Sequence, residues 1–164
     1  MISINVSEDK IGVFIMYDPC IIANYFIKLY NEDNNKKCVL NHHLIQKLIY
    51  ISNGYYLALT DKLLINENYI PFHDFGVICL SLYNELHNTN NQELINKIEN
   101  YDENIISEDI KLLLHDIYHG FKTWDIEKII NFTRNKPYKK AIKNEYIYID
   151  DEDIKKFFKK YIKS

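Results

Sequence analysis

The stretch Asn41-His42-His43-Leu44-Ile45-Gln46-Lys47-Leu48-Ile49-Tyr50-Ile51-Ser52-Asn53-Gly54-Tyr55-Tyr56-Leu57-Ala58-Leu59 decides the fold. Leu44, Leu48, Ile51, Tyr55 and Leu59 recur at helical spacing, and Ile45, Ile49 and Tyr56 widen that stripe, while Asn41 supplies an N-cap. A helix with so broad an apolar face belongs in the middle of a domain. Working outward, Asp18-Pro19 is an N-cap with proline at the first helical position, and Ile22, Phe26 and Leu29 or Tyr30 carry that helix to about Tyr30. Residues 31–38 read as a loop. On the other side, Leu63–Ile65 and Tyr69–Phe72 around Asn66-Glu67-Asn68 suit a small β-hairpin, and Gly76 precedes a helix bearing Ile78, Leu82, Tyr83 and Leu86.

The polar segment 88–104 has room for one weak helix. Ser107-Glu108-Asp109 opens the clearest amphipathic helix, with Ile110, Leu113, Leu114, Ile117, Tyr118 and Phe121 on one face and Gly120 as its breaker. Thr123 is expected to cap a helix with Ile126, Ile129 and Ile130, and Pro137 to start a short helical turn. Tyr146–Ile149 alternates like a strand, and Asp150 or Asp151 begins the last helix. At the start, Ile2, Ile4, Val6, Val13 and Ile15 alternate, so residues 2–16 read as one or two short strands.

With 164 residues, 47% hydrophobic and 14% aromatic, the chain has material for one core; four glycines and three prolines leave little for long loops. The expected fold is mainly α (α+β), a single compact domain over residues 1–164 with a central buried helix and a small hairpin. The frequency of Ile, Asn, Lys and Tyr points to an A/T-rich coding bias, so isolated Asn and Lys residues carry little weight. A net charge of −3 gives no overall basic field, so nucleic acid is not the leading partner. Cys20, Cys38 and Cys79 lack C-x-x-C spacing, which argues for reduced thiols in a cytoplasmic protein. Neither a secretory leader nor a membrane-spanning run is legible.

Three stretches occur in the order found in Panacea-domain antitoxins of bacterial and phage toxin–antitoxin systems. Ile22–Ile27 resembles the opening helix of that family. Leu44–Tyr50 with Gly54–Leu59 is similar to its "LQKLLYYAQGWYLAL" core helix. Leu63-Leu64, then His73-Asp74-Phe75-Gly76-Val77-Ile78 and Leu82-Tyr83, resemble "pLf…AWkYGPVvpeLY", and Trp124 to Ala141 looks like the closing "sawEL…tH…PW..A" stretch. The resemblance covers roughly residues 17–160, leaving 1–16 as an N-terminal extension. His73 stands where the family usually has Trp, Val77 where it has Pro, Arg134 near its usual His, and Tyr138 where it has Trp.

The resemblance implies an antitoxin that silences a toxin by direct binding, with no cofactor and no catalysis. It also implies a partner surface at His73, Asp74, Phe75, Gly76, Tyr83, Arg134 and Tyr138. A protease adaptor, or a phage-encoded inhibitor of a host defence protein, is the alternative on the same fold. The His73–Gly76 segment has two open readings: an aromatic anchor on a rigid turn, or a core Phe75 with Gly76 only permitting the turn.

Other motifs read more plainly. His115 and His119 share a helical face at i and i+4, the spacing of a metal pair, with Asp116 where a zinc protease carries Glu. A metal-dependent hydrolase is the remote alternative. Asp is one methylene short for that role, no third ligand follows at a familiar spacing, and surface histidines are the preferred reading. His42-His43 at a helix start receives no role. The lysines of the last helix face away from Ile154, Phe157, Phe158, Tyr161 and Ile162, a pattern that suits a membrane surface or an acidic partner; the preferred reading is that, with Asp150–Asp153 at its start, they complement the helix dipole, leaving them free to steer an acidic partner. No P-loop, nucleophile elbow or dinucleotide fingerprint is present.

Overall fold

A computed structural model of the chain describes residues 15–89 and 91–162. Asp18 caps α1 (Pro19–Glu32), its carboxylate accepting from the Cys20 N–H at 2.8 Å. Asn41 caps α2 (His42–Thr60), accepting from the Leu44 N–H at 3.0 Å. Every residue of α2 from Leu44 to Tyr55 is buried, polar ones included. A helix enclosed on all sides must be the axis of its domain, and the other elements wrap it accordingly.

Those elements are the strands β1 (Ile70–Phe72) and β2 (Gly76–Ile78) and the helices α3 (Leu80–Leu86), α4 (Glu108–Phe121), α5 (Ile126–Thr133), α6 (Lys136–Lys143) and α7 (Asp151–Lys159). The architecture is mainly α with one two-stranded antiparallel sheet. Helices α1, α3, α4, α5 and α7 and strand β2 all pack on α2. The closest approach involves Gly54, where a β-carbon would overlap the Phe158 ring of α7. That ring is itself caged by Tyr50, Tyr55, Phe132 and Phe157. Here glycine is needed for contact, not for its backbone freedom. Among the described residues no helix is long and apolar enough to cross a membrane.

Several expectations are corrected. The hairpin pairs Ile70 with Ile78, Pro71 with Val77 and Phe72 with Gly76, so its turn is His73-Asp74-Phe75 and not Asn66-Glu67-Asn68. Gly76, at φ +90°, opens β2 instead of a helix, and the helix starts at Leu80. Glu67 is occupied otherwise: its carboxylate accepts from the Ser81 N–H at 3.1 Å and so caps α3, whose own N-cap, Cys79, offers no side-chain bond. Ile65 instead forms a single parallel bridge with Tyr17. Of the expected strands at 2–16, residues 2–14 lie outside the described residues, and Ile15 and Met16 are not in a strand.

Among the described residues, segment 88–104 holds no α-helix, only short 3-10 turns at His87–Thr89 and Glu103–Ile105. Its irregular backbone is held by buried Asn24, which donates to the Ile98 and Tyr101 carbonyls and accepts from the Ile98 N–H. Gly120 does not break α4, which continues to Phe121. Asp125 caps α5 in place of Thr123, accepting from the Lys128 N–H at 2.9 Å. Tyr146–Ile149 forms no strand; three consecutive side chains, Tyr146, Ile147 and Tyr148, are exposed, and the segment is tied down by the Tyr146 N–H donating to the Ala141 carbonyl and the Ile149 N–H to the Tyr69 carbonyl. Asp150 caps α7 as expected.

Candidate functional site

The turn at residues 73–75 is held from beneath by cationic and phenolic side chains. Lys47, fully buried in the middle of α2, donates from Nζ to the Phe75 carbonyl and, at 3.5 Å, to the Val77 carbonyl. Arg134, the C-cap of α5, donates from one guanidinium nitrogen to the His73 and Asp74 carbonyls at 3.1 and 3.2 Å. The Tyr138 hydroxyl of α6 donates to the Phe72 carbonyl. Gly76 completes the cradle, since a β-carbon there would stand 3.1 Å from Lys47 Nζ and its φ of +90° suits glycine alone. Five successive or near-successive carbonyls are thus tied to α2, α5 and α6, so the turn's side chains are displayed from a fixed backbone.

Around this backbone the rings form one aromatic face. Phe75 lies over Lys47, stacks on His43 with centroids 3.8 Å apart, and meets His42 and Tyr83 at 4.8 and 5.8 Å. Phe72, Tyr83 and His87 stack in a row, each step 6.1 Å. Phe72 is 41% exposed and His87, His73 and Asp74 are exposed, whereas Phe75 and Tyr83 are half-buried.

All seven residues expected from the sequence, His73, Asp74, Phe75, Gly76, Tyr83, Arg134 and Tyr138, therefore fall in one region. Phe75 is half-buried, packing against His42, His43 and Lys47 of α2 without lying in the core. Lys47, His43, Phe72 and His87 complete the region and were missed. The available signal was Lys47 itself, a cation on α2 between the stripe residues Leu44, Leu48 and Ile51.

Lys47 and Arg134 have no carboxylate within salt-bridge distance among the described residues. Burial, and then the Arg134 charge, push the Lys47 ammonium down to about 7. Burial likewise lowers His42 to about 4 and His43 below the ordinary imidazole range. The sign of the Lys47 effect follows directly. Between about pH 7 and about pH 10 the unfolded chain holds a proton that the folded chain has lost, so stability should rise with pH in that window. We expect the unfolding free energy of the wild type to rise relative to that of Lys47→Met over this range, at up to about 1.4 kcal/mol per pH unit, read by urea titration. A pH-independent difference would show that Lys47 keeps its proton in the folded chain over this whole range.

Elsewhere, the His115 and His119 rings lie 4.3 Å apart on α4, and Asp116 reaches His115 at 3.7 Å. Among the described residues no group of three or more His, Cys, Asp or Glu side chains is placed to hold a metal. Cys20, Cys38 and Cys79 are free thiols, and burial raises the pKa of each. Compared with known proteins, the chain matches no family model, no curated protein and no solved structure.

Proposed function

We propose that the chain acts by stoichiometric protein–protein binding, as an antitoxin-like neutraliser of a protein toxin, and that the aromatic face around the 73–75 turn is its contact surface. The observation that carries this reading is the combination of partly open rings with a backbone fixed by Lys47, Arg134 and Tyr138. Aromatic anchors that need little ordering on association are the residues that dominate protein interfaces. The toxin as target rests on the resemblance in residues 17–160 and on nothing else.

A role on the same surface with a different target, as a protease adaptor or as an inhibitor of a host defence protein, draws support from His73, Val77 and Tyr138. These stand where the family usually carries Trp, Pro and Trp. Of the three, His73 is exposed and would present a different contact chemistry, while Val77 and Tyr138 are buried beneath the turn.

The test is dose. Co-expressed with the product of the neighbouring gene, the chain should co-purify in a fixed ratio, and protection should rise with its amount and saturate near equivalence. Full protection by a trace amount would overturn the stoichiometric mechanism. Failure to form any complex with a neighbour that is toxic on its own would overturn the antitoxin reading.

A further inference from the structure

Helices α6 and α7 pack side by side, and between them lies a cleft of about 460 Å³. Lys136, Lys140, Lys156, Lys160 and Asp153 line it, together with buried Pro137 and half-buried Phe157. A second hollow of about 410 Å³ beside it shares Lys136 and Lys140 and adds Lys139, Lys143 and Asn144, and the two together are called the furrow. Six lysines therefore meet on one side of a chain whose net charge is −3. Of these, Lys140 pairs with Asp153 at 2.8 Å, and the other five have no carboxylate partner among the described residues.

The cluster costs the fold stability. Lys136 and Lys140, Lys139 and Lys143, and Lys156 and Lys160 are like-charged pairs at i and i+4, each unfavourable by a few tenths of a kcal/mol. Complementing the helix dipole accounts for Lys140, Lys143 and Lys156, which lie in the last turns of α6 and α7. It cannot account for Lys136, which occupies the first position of α6, the end where a cation is disfavoured. Coding bias can supply lysines but has no means of gathering them, unpaired, round one cleft. A ligand that neutralises them removes the penalty.

We infer that the α6–α7 furrow binds the phosphate backbone of single-stranded nucleic acid. Successive lysines along α6 offer the point charges that phosphates accept, and the half-buried Phe157 ring lining the cleft offers an apolar contact for a base. An acidic protein segment would match the charges but brings no base to set against Phe157, and competition by polyglutamate separates the two. The net charge of the whole chain hides the furrow, which is why sequence composition argued against such a partner.

The experiment uses the full chain and fluorescein-labelled oligo-dT and oligo-U, followed by anisotropy as salt is raised, with polyglutamate as a competitor. Binding should weaken with salt along a slope of about −0.7 for each phosphate neutralised. Lys136→Gln with Lys156→Gln should weaken binding roughly tenfold or more at low salt and make the slope shallower by about 1.4. Lys36→Gln with Lys37→Gln, which removes equal charge from the loop before α2, should change neither. Because the furrow lysines are exposed and mutually repelling, the furrow variant should melt no lower than the wild type. No binding at low salt, equal loss in the two variants, or displacement by polyglutamate at equal charge concentration would each overturn the inference.

Discussion

Replacing Asp33 by Ala is expected to cost about 3–5 kcal/mol of folding stability, the largest loss from any single polar substitution considered for this chain. Asp33 ends α1, is 9% exposed, and among the described residues is the one carboxylate serving the network with Tyr118 and Lys122 that ties α1 to α4. Its carboxylate accepts from the Tyr118 hydroxyl at 2.8 Å, from Lys122 at 3.0 and 3.2 Å, and from the Asn35 N–H at 2.9 Å. Removing it leaves a buried phenol without an acceptor and a largely buried ammonium without a counter-charge, which is the costly way to break such a pair. Against a total stability on the order of 5–15 kcal/mol this is a large fraction. The readout is a lower urea midpoint with an unchanged slope.

The same site predicts a pH dependence. Burial pushes the Asp33 carboxyl up, but the Asn35 N–H, the Tyr118 hydroxyl and the Lys122 ammonium together outweigh that and hold it at about 2. Its folded pKa lies below the unfolded value of about 3.9, so its contribution is complete above about pH 4 and is lost as the pH falls towards 2. Asp33→Ala should flatten that acid limb as well as lower the plateau. An unchanged midpoint at neutral pH would show that the network adds no net stability.

What the sequence made legible was local. Asp18-Pro19, Asn41 and Asp150 are N-caps whose partners lie two or three residues away, so α1, α2 and α7 start where expected. The hairpin failed because its register depends on distant groups: Lys47 and Arg134 fix the 73–75 turn from residues 28 and about 60 positions away. Asn66-Glu67-Asn68 has turn composition, but Glu67 is spent on capping α3. Tyr146–Ile149 has strand composition without a neighbouring strand to pair with. Seven candidate site residues came together because a family resemblance grouped them. Lys47 was passed over because a lone cation in an apolar stripe reads as a break in the pattern until the carbonyls it serves are seen.

The aromatic face gives the last prediction. Truncating Phe72 and Tyr83 together to Ala should weaken the complex with the partner protein by about 4 kcal/mol, close to a thousandfold, since each buried aromatic anchor is typically worth about 2 kcal/mol or more. The two rings stack at 6.1 Å with planes 10° apart, so their effects are coupled, and the single variants must be measured beside the double. Folding should survive the change: α3 is held by buried Leu82 and Leu86, and Phe72 is 41% exposed. Phe75→Ala is a poorer probe, because Phe75 covers Lys47 and stacks on His43, and its loss would open the interior to water. Asp74→Arg is a sound companion. The Asp74 side chain is exposed and its carbonyl accepts from Arg134, so the reversal places a new cation beside Arg134 on the proposed contact surface, and its melt must be read beside its binding. Each variant is compared with the wild type by calorimetric titration against the purified partner and by circular dichroism on the free chain. A double variant that melts like the wild type and binds with wild-type affinity would remove this face from the account, while loss of affinity with an unchanged melt would place the contact on the Phe72–Tyr83–His87 row.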